Sequence, residues 1–201
     1  MTKLEGRVLK TENIKAAPKD IQDNIAWSIG HSLSQLHKAL AQLPGNTARQ
    51  QPDYADLSPY VQRHTYYVKI LDKLKEVRSR LPYSALQHYS HCDFNISNIL
   101  FDEKYNVVGI LDFAEARKEI REKDISDMTK ELPELKQTII RSYETDSNTK
   151  IQEVRLSLGL VENALIGALI ADYHSKNPAA AKEYKTVLDE LVKDLSKDSI
   201  G

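Results

Sequence analysis

Residues 91–113 read HCDFNISNILFDEKYNVVGILDF, and this stretch decides the fold of the chain. Two short apolar runs, 99–102 and 107–111, flank the four polar residues 103–106. Apolar runs separated by a short polar break are typical of a β-hairpin, here with a four-residue loop. The sequence therefore predicts that the chain turns back on itself within this stretch.

Three oxygen-bearing side chains surround the predicted hairpin. Asp93 stands five residues before Asn98, which precedes the first strand, and Asp112 closes the second strand. Because a hairpin returns the chain to its starting end, Asp112 should lie a few Å from Asn98, with Asp93 on the loop just before. Carboxylate and carboxamide oxygens are hard ligands of the kind that Mg²⁺ takes alongside substrate phosphates. The remaining carboxylate could orient a hydroxyl nucleophile and accept its proton.

Composition restricts the class of protein. The chain has 201 residues, of which 41% are hydrophobic and 28% charged, which favours one soluble domain with a normal surface. The net charge of −1 argues against a nucleic-acid partner. The single cysteine excludes an internal disulfide and is compatible with the cytoplasm, and the first twenty residues do not resemble a signal peptide. The most apolar run, 164–171, is too short to span a membrane.

The rest of the chain is dominated by helical patterns. Apolar residues spaced by three and four predict helices over 18–43, 57–77, 132–143, 151–176 and 184–195. The fourth is apolar on most faces, which is typical of a buried central helix. The highly charged segment 115–127 has little apolar content and is interpreted as a solvated loop or frayed helix. The predicted fold class is α+β and mainly α-helical: a lead over 1–17, then one domain over 18–201 that carries the loop and hairpin, 88–113.

A resemblance to a known family rests on these residues. His91-x-Asp93-x-x-x-x-Asn98, with Asp112-Phe113 following fourteen residues after Asn98, resembles the catalytic and metal-binding segments of the protein-kinase-like fold. Within that fold it is most similar to the aminoglycoside phosphotransferase and choline kinase group. The segment 29–37, IGHSLSQLH, resembles a helix of that group that ends in Leu-His.

The resemblance implies a role for each residue of the motif. Asp93 would orient and deprotonate the hydroxyl of a small-molecule acceptor. Asn98 and Asp112 would bind Mg²⁺ that bridges the phosphates of ATP or another nucleoside triphosphate. His91 would hold the loop by hydrogen bonds. Asp127, with Asp124 as the less favoured alternative, matches the later Asp that braces the catalytic loop in this group.

The sequence departs from the group's pattern at several positions. Cys92 stands where the group usually has Gly, and Asn95 stands where protein kinases carry Lys. Ala114 replaces another familiar Gly, and the charged stretch after Ala116 lacks the group's usual Gly-Asp-Pro. This last departure leaves the choice between Asp127 and Asp124 open.

The resemblance covers the chain from the hinge onward. A complete kinase-like enzyme also has an amino-terminal lobe with a Gly-rich phosphate loop and a strand lysine. No two of the seven glycines are close enough to form such a loop. Leu4, Glu5 and Gly6 resemble the hinge that contacts the adenine. The chain is therefore expected to be a carboxy-terminal lobe, whose other half would come from a separate polypeptide.

Two functions remain open from the sequence. In the first, the chain is a phosphotransferase lobe that acts with a separate amino-terminal lobe, as a homodimer, or through an unusual minimal site of its own. In the second, it is an inactive remnant that binds a nucleotide, a metal or a protein. Candidates for contacts with a cationic acceptor are Glu115, Glu162 and Asp172, although each is better explained as a solvated or paired surface charge.

A transition-metal site is the rival interpretation of the motif. His88, His91, Cys92 and Asp93 lie within six residues of each other. Their spacing does not form two ligand pairs, and the hairpin context already accounts for His91 and Asp93. The sequence therefore favours the magnesium site over a zinc site.

Overall fold

The computed structural model of the chain describes residues 5–42, 58–62 and 64–197. Its helices are α1 Thr11–Ala16, α2 Lys19–Leu40, α3 Ser58–Val61, α4 Thr65–Ser79, α5 Glu122–Glu131, α6 Lys136–Ser147, α7 Glu153–Leu169 and α8 Pro178–Lys197. Its strands are β1 His88–Ser90, β2 Ile99–Phe101, β3 Val107–Ile110 and β4 Arg117–Glu119. Short 3₁₀ turns cover Tyr83–Gln87, Ile96–Asn98 and Pro133–Leu135, and α7 continues into a π turn over Ile170–His174.

Two small antiparallel sheets carry the central stretch. In the hairpin, β2 pairs with β3 and Ile99 lies opposite Ile110. In the second sheet, β1 pairs with β4 and Tyr89 lies opposite Lys118. The lead is attached to the hairpin because Arg7 and Phe101 exchange two backbone hydrogen bonds of 2.9 Å. The predicted hairpin is thus confirmed, and the lead lies along its outer edge.

The buried apolar side chains form two clusters. The first joins α2, the loop before the hairpin, the hairpin, α5 and α6 around residues such as Ile29, Phe94 and Met128. The second joins α4, α7 and α8 around Leu74 and Leu165. Helix α5 packs against α7, so it lies where the two clusters meet.

Close helix packing beside the hairpin requires a glycine. Helix α2 packs along α6, and a Cβ added to Gly30 would lie only 2.3 Å from the carbonyl oxygen of Ile139. Any side chain at this position would push the two helices apart. Gly30 therefore sets how closely α2 approaches α6.

The predicted central helix is α7. Within the described ranges, the helix Glu153–His174 is long and apolar enough to cross a membrane by length and composition alone. However, 61% of its most apolar window is buried inside the protein. The core helix of a soluble domain has these same properties, so the burial favours that interpretation.

The structure confirms the mainly helical α+β fold and corrects several details. The helix predicted over 57–77 is interrupted, since α3 ends at Val61 and α4 begins at Thr65. The lead contains a short helix, α1, whose Ile14 is buried in the first cluster. Helix α2 ends at Leu40, three residues before the predicted end at 43, and residues 43–57 lie outside the described ranges.

The largest correction concerns the charged segment 115–127. It is neither a solvated loop nor a frayed helix, because it forms β4 and most of α5. Every residue from Glu122 to Thr129 is buried. The charged side chains can be buried because they pair with one another and with residues of α2, α4 and α7, as described below.

Candidate active site

The catalytic loop, residues 91–98, is shaped by its own side chains. Its apolar members Phe94 and Ile96 are buried and anchor the loop in the first cluster. Between them, the Asn95 side chain accepts a hydrogen bond of 3.0 Å from the amide of Ser97, which caps the 3₁₀ turn that follows. Buried apolar residues that alternate with partly exposed polar ones therefore fix the loop at the protein surface.

Asp93 is held in place by two amide side chains. Its Oδ1 accepts a hydrogen bond of 2.9 Å from Nδ2 of Asn95, and its Oδ2 accepts one of 2.8 Å from Nδ2 of Asn98. The carboxylate is thereby oriented before any substrate arrives. Because Nδ2 of Asn98 is committed to Asp93, the amide oxygen of Asn98 is the atom available to a further ligand.

The hairpin brings Asp112 back to Asn98. The backbone pairing extends one residue beyond β3, since the amide of Leu111 donates to the carbonyl of Asn98 at 2.8 Å. Asp112 follows directly, with an exposed side chain and a φ of 57°. This left-handed conformation is uncommon outside glycine, and Asp is among the residues that tolerate it. The three predicted site residues thus lie at one rim.

The oxygen atoms at this rim suit a hard cation. The Asn98 amide oxygen and the Asp112 carboxylate are the kind of ligands that Mg²⁺ takes in small number, leaving its other positions to phosphate and water. Among the described residues, no group of three His, Cys, Asp or Glu side chains is arranged to hold a metal. The amide oxygen of Asn98 and the carboxylate of Asp112 are a donor set that fits Mg²⁺ bound together with a phosphate ligand.

His91 connects the catalytic loop to the hairpin. Its ring is fully buried, and Nε2 donates to the carbonyl of Leu111 at 2.8 Å. Nδ1 then accepts a hydrogen bond of 3.3 Å from the amide of Asp93. Both nitrogens are used for positioning, as the sequence predicts for a structural His. They leave no ring nitrogen for a zinc ion.

Asp124 is the residue that braces the catalytic loop. Its Oδ2 accepts from the amide of His91 at 2.8 Å, and its Oδ1 accepts from the amide of Cys92 at 2.7 Å. It also accepts a hydrogen bond of 2.8 Å from Nε2 of His37, whose Nδ1 lies 2.8 Å from the hydroxyl of Tyr143. We refer to Asp124 and His37 as the brace.

The hydrogen bonds of the brace stabilise the ionised carboxylate. Burial alone would raise the pKa of Asp124. The hydrogen bonds from His37, His91 and Cys92 act in the opposite direction and outweigh it, so the pKa of Asp124 lies below its ordinary value. Asp124 is therefore a buried anion at neutral pH, with a donor at each oxygen.

The preferred sequence assignment of the brace, Asp127, needs correction. Asp127 lies one turn further along α5 and faces α7, where it pairs with Lys123 and accepts from Nδ2 of Asn163 at 2.8 Å. Lys123 also donates to Oδ1 of Asn163 at 2.8 Å. Asp127 thus ties α5 to α7, and the alternative residue, Asp124, makes the contacts with the loop.

Cys92 explains one departure from the group's pattern. Its φ of 63° is a left-handed conformation, which accounts for a Gly being usual at this position. The side chain is buried, and burial raises the pKa of the thiol well above its ordinary value. Cys92 is therefore a packed, protonated thiol.

The acidic candidates for acceptor contacts lie apart from one another. Glu162 is only 4% exposed and accepts from Nη1 of Arg78 at 2.9 Å, which corrects its interpretation as a surface charge. Asp172 accepts from the hydroxyl of Tyr67 at 2.5 Å and pairs with Lys185 at 2.9 Å. Glu115 is exposed near the end of the hairpin.

The hinge residues are described only in part. Glu5 and Gly6 are exposed beside the hairpin, and Leu4 lies outside the described residues. A Cβ on Gly6 would come within 2.9 Å of side-chain atoms of Leu100 and Val108. Gly6 therefore permits the close approach of the lead to the hairpin, whereas its nucleotide contact stays a prediction.

The sequence reasoning missed a cavity behind the catalytic loop. It has a volume of about 580 Å³ and lies between the end of α5, α7 and α8, with a largely apolar wall that includes Leu160, Val187 and Leu191. Glu131 lines this cavity and also accepts from the amide of Ile96 at 3.3 Å. No local pattern records the cavity, because its walls come from three separate helices.

Comparison with known protein families identifies the family of the chain. A model of the phosphotransferase enzyme family matches residues 1–154. The chain belongs to this family. The chemistry that the family supports in general is transfer of a phosphoryl group to a hydroxyl of a small molecule. No curated protein sequence matches the chain.

Solved structures of low sequence identity share the fold. A choline/ethanolamine kinase family protein from Mesorhizobium loti is 17% identical with a TM-score of 0.70, and the match covers 95% of this chain and 68% of that one. Choline kinase LicA from Streptococcus pneumoniae is 12% identical with a TM-score of 0.66, covering 95% and 74%. The GDP complex of aminoglycoside 2'-phosphotransferase-IIIa is 15% identical with a TM-score of 0.61, covering 96% and 69%.

Proposed function

We propose that the chain is the catalytic lobe of a Mg²⁺-dependent phosphotransferase that moves the terminal phosphoryl group of ATP to a hydroxyl of a small molecule. One observation carries the proposal: the hairpin brings Asp112 back to Asn98, whose amide nitrogen holds the carboxylate of Asp93. Catalysis of phosphoryl transfer consists mostly of positioning and electrostatics, and this rim is positioned by the brace and by His91.

The residues of the rim have separate tasks. Asp93, oriented by Asn95 and Asn98, accepts a hydrogen bond from the acceptor hydroxyl and takes its proton as the new O–P bond forms. Asn98 and Asp112 would hold the cation through their side-chain oxygens. When bound, Mg²⁺ neutralises charge on the nucleotide phosphates. GDP complexes of family relatives support a nucleotide as the phosphoryl donor.

The acceptor is proposed to bind in the 580 Å³ cavity. The bond between Glu131 and the amide of Ile96 makes the cavity wall continuous with the catalytic loop. The apolar lining favours an acceptor with an apolar body, in contrast to a polycationic one. Substituting Val187, which lines the cavity, with Gln should raise the KM for the acceptor while ATP binding stays unchanged.

The donors for the phosphates that the described residues do not supply are proposed to come from a partner, either an amino-terminal lobe on a separate polypeptide or a second copy of the chain. The exposed apolar side chains of Val8, Val108 and Phe113 support this, since they lie on the lead, on the hairpin and just after it. The same residues favour the second candidate function, in which the chain binds a nucleotide or a protein without turnover.

The decisive experiment measures binding and transfer separately. Calorimetry with MgATP should give binding to the wild type that Asp112→Ala weakens at least about tenfold. ADP release with choline and with alcohols of apolar body should exceed that with kanamycin, a polycation, and should depend on Asp93. Asp93→Asn should lose about 10²-fold or more of this rate while retaining MgATP binding. Absent binding, or binding that Asp112→Ala leaves unchanged, would refute the nucleotide site. Binding without ADP release would favour the non-catalytic function.

A further inference from the structure

A second, smaller cavity lies on the other side of the brace. It has a volume of about 220 Å³ and is lined by polar and charged side chains: Ser84, Ala85, His88, Arg121, Glu122 and Arg155. None of these residues belongs to the catalytic loop or to the hairpin. The family assignment and the proposed chemistry leave this cavity without a role.

The two arginines give the cavity an excess of positive charge. Within the described ranges, neither Arg121 nor Arg155 forms an ion pair, and both are only partly exposed. Arginines held together at a cavity wall without carboxylate partners repel each other, which an anion would relieve. Two arginines against one glutamate leave a net positive charge for such a ligand to neutralise.

Two helices begin at this cavity, and neither is capped by a side chain. Helix α5 follows Arg121 and α7 follows Gln152, and neither residue makes a side-chain capping bond. The amino-terminal ends of helices carry partial positive charge and unsatisfied amides. The electrostatic field of these two helix ends therefore adds to that of the arginines at the cavity.

Two buried polar atoms of the cavity residues lack partners. Glu122 is only 1% exposed, and its Oε1 accepts from the amide of Gln152 at 3.1 Å, whereas Oε2 has no hydrogen-bond partner. Nε2 of His88 is also buried without a partner. Burial, together with nearby His37 and Arg121, lowers the pKa of His88 to about 3, so its ring is neutral at pH 7. A buried carboxylate oxygen without a hydrogen-bond partner costs free energy, so a ligand that donates a hydrogen bond to it would be stabilised here.

We propose that this cavity binds inorganic phosphate, which still carries a proton at neutral pH. Arg121 and Arg155 donate to its unprotonated oxygens, and Glu122 accepts from its remaining P–OH. A sulfate ion has the same shape and charge but no proton at neutral pH, so it places an oxygen lone pair against the Glu122 carboxylate. The carboxylate is thus the element that selects phosphate.

The cavity lies one side chain away from the brace. The His88 ring contacts the His37 ring edge-on, with centroids 4.5 Å apart and an interplanar angle of 80°. His37 donates to Asp124, which holds the amides of His91 and Cys92. A ligand beside His88 therefore perturbs the ring signals of both histidines in an NMR spectrum, which reports binding at this cavity in particular.

The test titrates the full chain with inorganic phosphate, glycerol phosphate and sulfate, without Mg²⁺, by calorimetry and by NMR of the histidine rings. We expect phosphate to bind and to shift the His88 and His37 signals, with sulfate at least about tenfold weaker. Arg155→Gln should weaken phosphate binding at least about tenfold, whereas Arg141→Gln, an exposed arginine on α6, should leave it unchanged. Glu122→Gln should remove the preference for phosphate over sulfate.

Several results would overturn the proposal. They are the absence of phosphate binding, sulfate binding as tight as phosphate binding, and an equal loss of phosphate affinity in Arg155→Gln and Arg141→Gln. Loss of binding in Asp112→Ala would assign the phosphate to the catalytic rim and also overturn it. If Glu122→Gln fails to fold, two measurements still test the proposal. They are the comparison of phosphate with sulfate on the wild type and the phosphate titration of Arg155→Gln. Glycerol phosphate has a second pKa of about 6 and has lost this proton at neutral pH, so it should bind much more weakly than phosphate. Glycerol phosphate binding as tight as phosphate would also overturn the proposal.

Discussion

The hairpin region 91–113 and the charged segment that follows it, 115–127, differ in how well their local sequence predicts their structure. The local pattern predicts the hairpin correctly, whereas it predicts a solvated loop or frayed helix for a segment that is buried. In the hairpin, strands β2 and β3 are joined by a short loop, so the residues that pair with one another are close in the sequence. The charged segment has no apolar stripe, yet it becomes a strand and a buried helix.

The difference lies in where the partners come from. Glu119 pairs with Arg78, which is 41 residues away, and Lys123 donates to Asn163, 40 residues away. His37 reaches Asp124 across 87 residues. Burying a charge costs several kcal/mol unless it is paired, so these distant residues decide whether the segment is inside or outside. Charge content alone therefore does not predict exposure.

The largest expected effect comes from removing the arginine between the two buried glutamates. Arg78→Met leaves Glu119 and Glu162 as buried carboxylates without their main cation, and should cost about 3–5 kcal/mol in the free energy of unfolding. Arg80→Met is the matched control, because among the described residues Arg80 pairs only with the partly exposed Glu76, and its loss should cost less than about 1 kcal/mol. Equal urea midpoints for the two variants would contradict the account of buried pairing.

A smaller loss is expected from neutralising the brace. Asp124→Asn keeps the shape but presents an amide where two backbone donors and His37 converge, so it should cost about 1.5–3 kcal/mol at pH 7. The rate of phosphoryl transfer should also fall in this variant, because the catalytic loop loses its support. The control is Asp146→Asn, a carboxylate at the edge of α6 that pairs with Lys38.

The lowered pKa of Asp124 in the brace predicts that the free energy of unfolding depends on pH. The pKa of Asp124 is lowered in the folded state, so its contribution is complete above the unfolded value of 3.8 and is lost as the pH falls through the lower folded value. The difference in unfolding free energy between the wild type and Asp124→Asn should therefore shrink in acid below about pH 4. A difference that stays constant from neutral to acid pH would show that Asp124 is not ionised in the folded protein.

The smallest effect is expected at Cys92. Cys92→Gly relieves the left-handed φ of 63° but removes a buried side chain, so the change in stability should stay within about 1 kcal/mol. Cys92→Val places a β-branched residue in the same conformation and should cost more, about 1–3 kcal/mol. Thermal unfolding of the two variants compares them directly, and a more stable Val variant would refute the strain.

Helix positions were predictable to the extent that they depend on local periodicity. Apolar spacing places α2, α4, α6, α7 and α8, because each buries a stripe that its own sequence defines. The break between α3 and α4 was missed, since the apolar pattern runs through it. The position of Asp93, Asn98 and Asp112 on one rim followed from the hairpin, which is itself local.

By itself, the sequence determined the helices, the hairpin and the three oxygen-bearing residues of the catalytic rim. Only the tertiary structure decided which aspartate braces the loop, that the charged segment is buried, and where the two cavities lie. Periodicity and turn chemistry act over a few residues and can be read along the chain. A buried ion pair or a cavity wall depends on side chains from different helices, whose proximity no local pattern records.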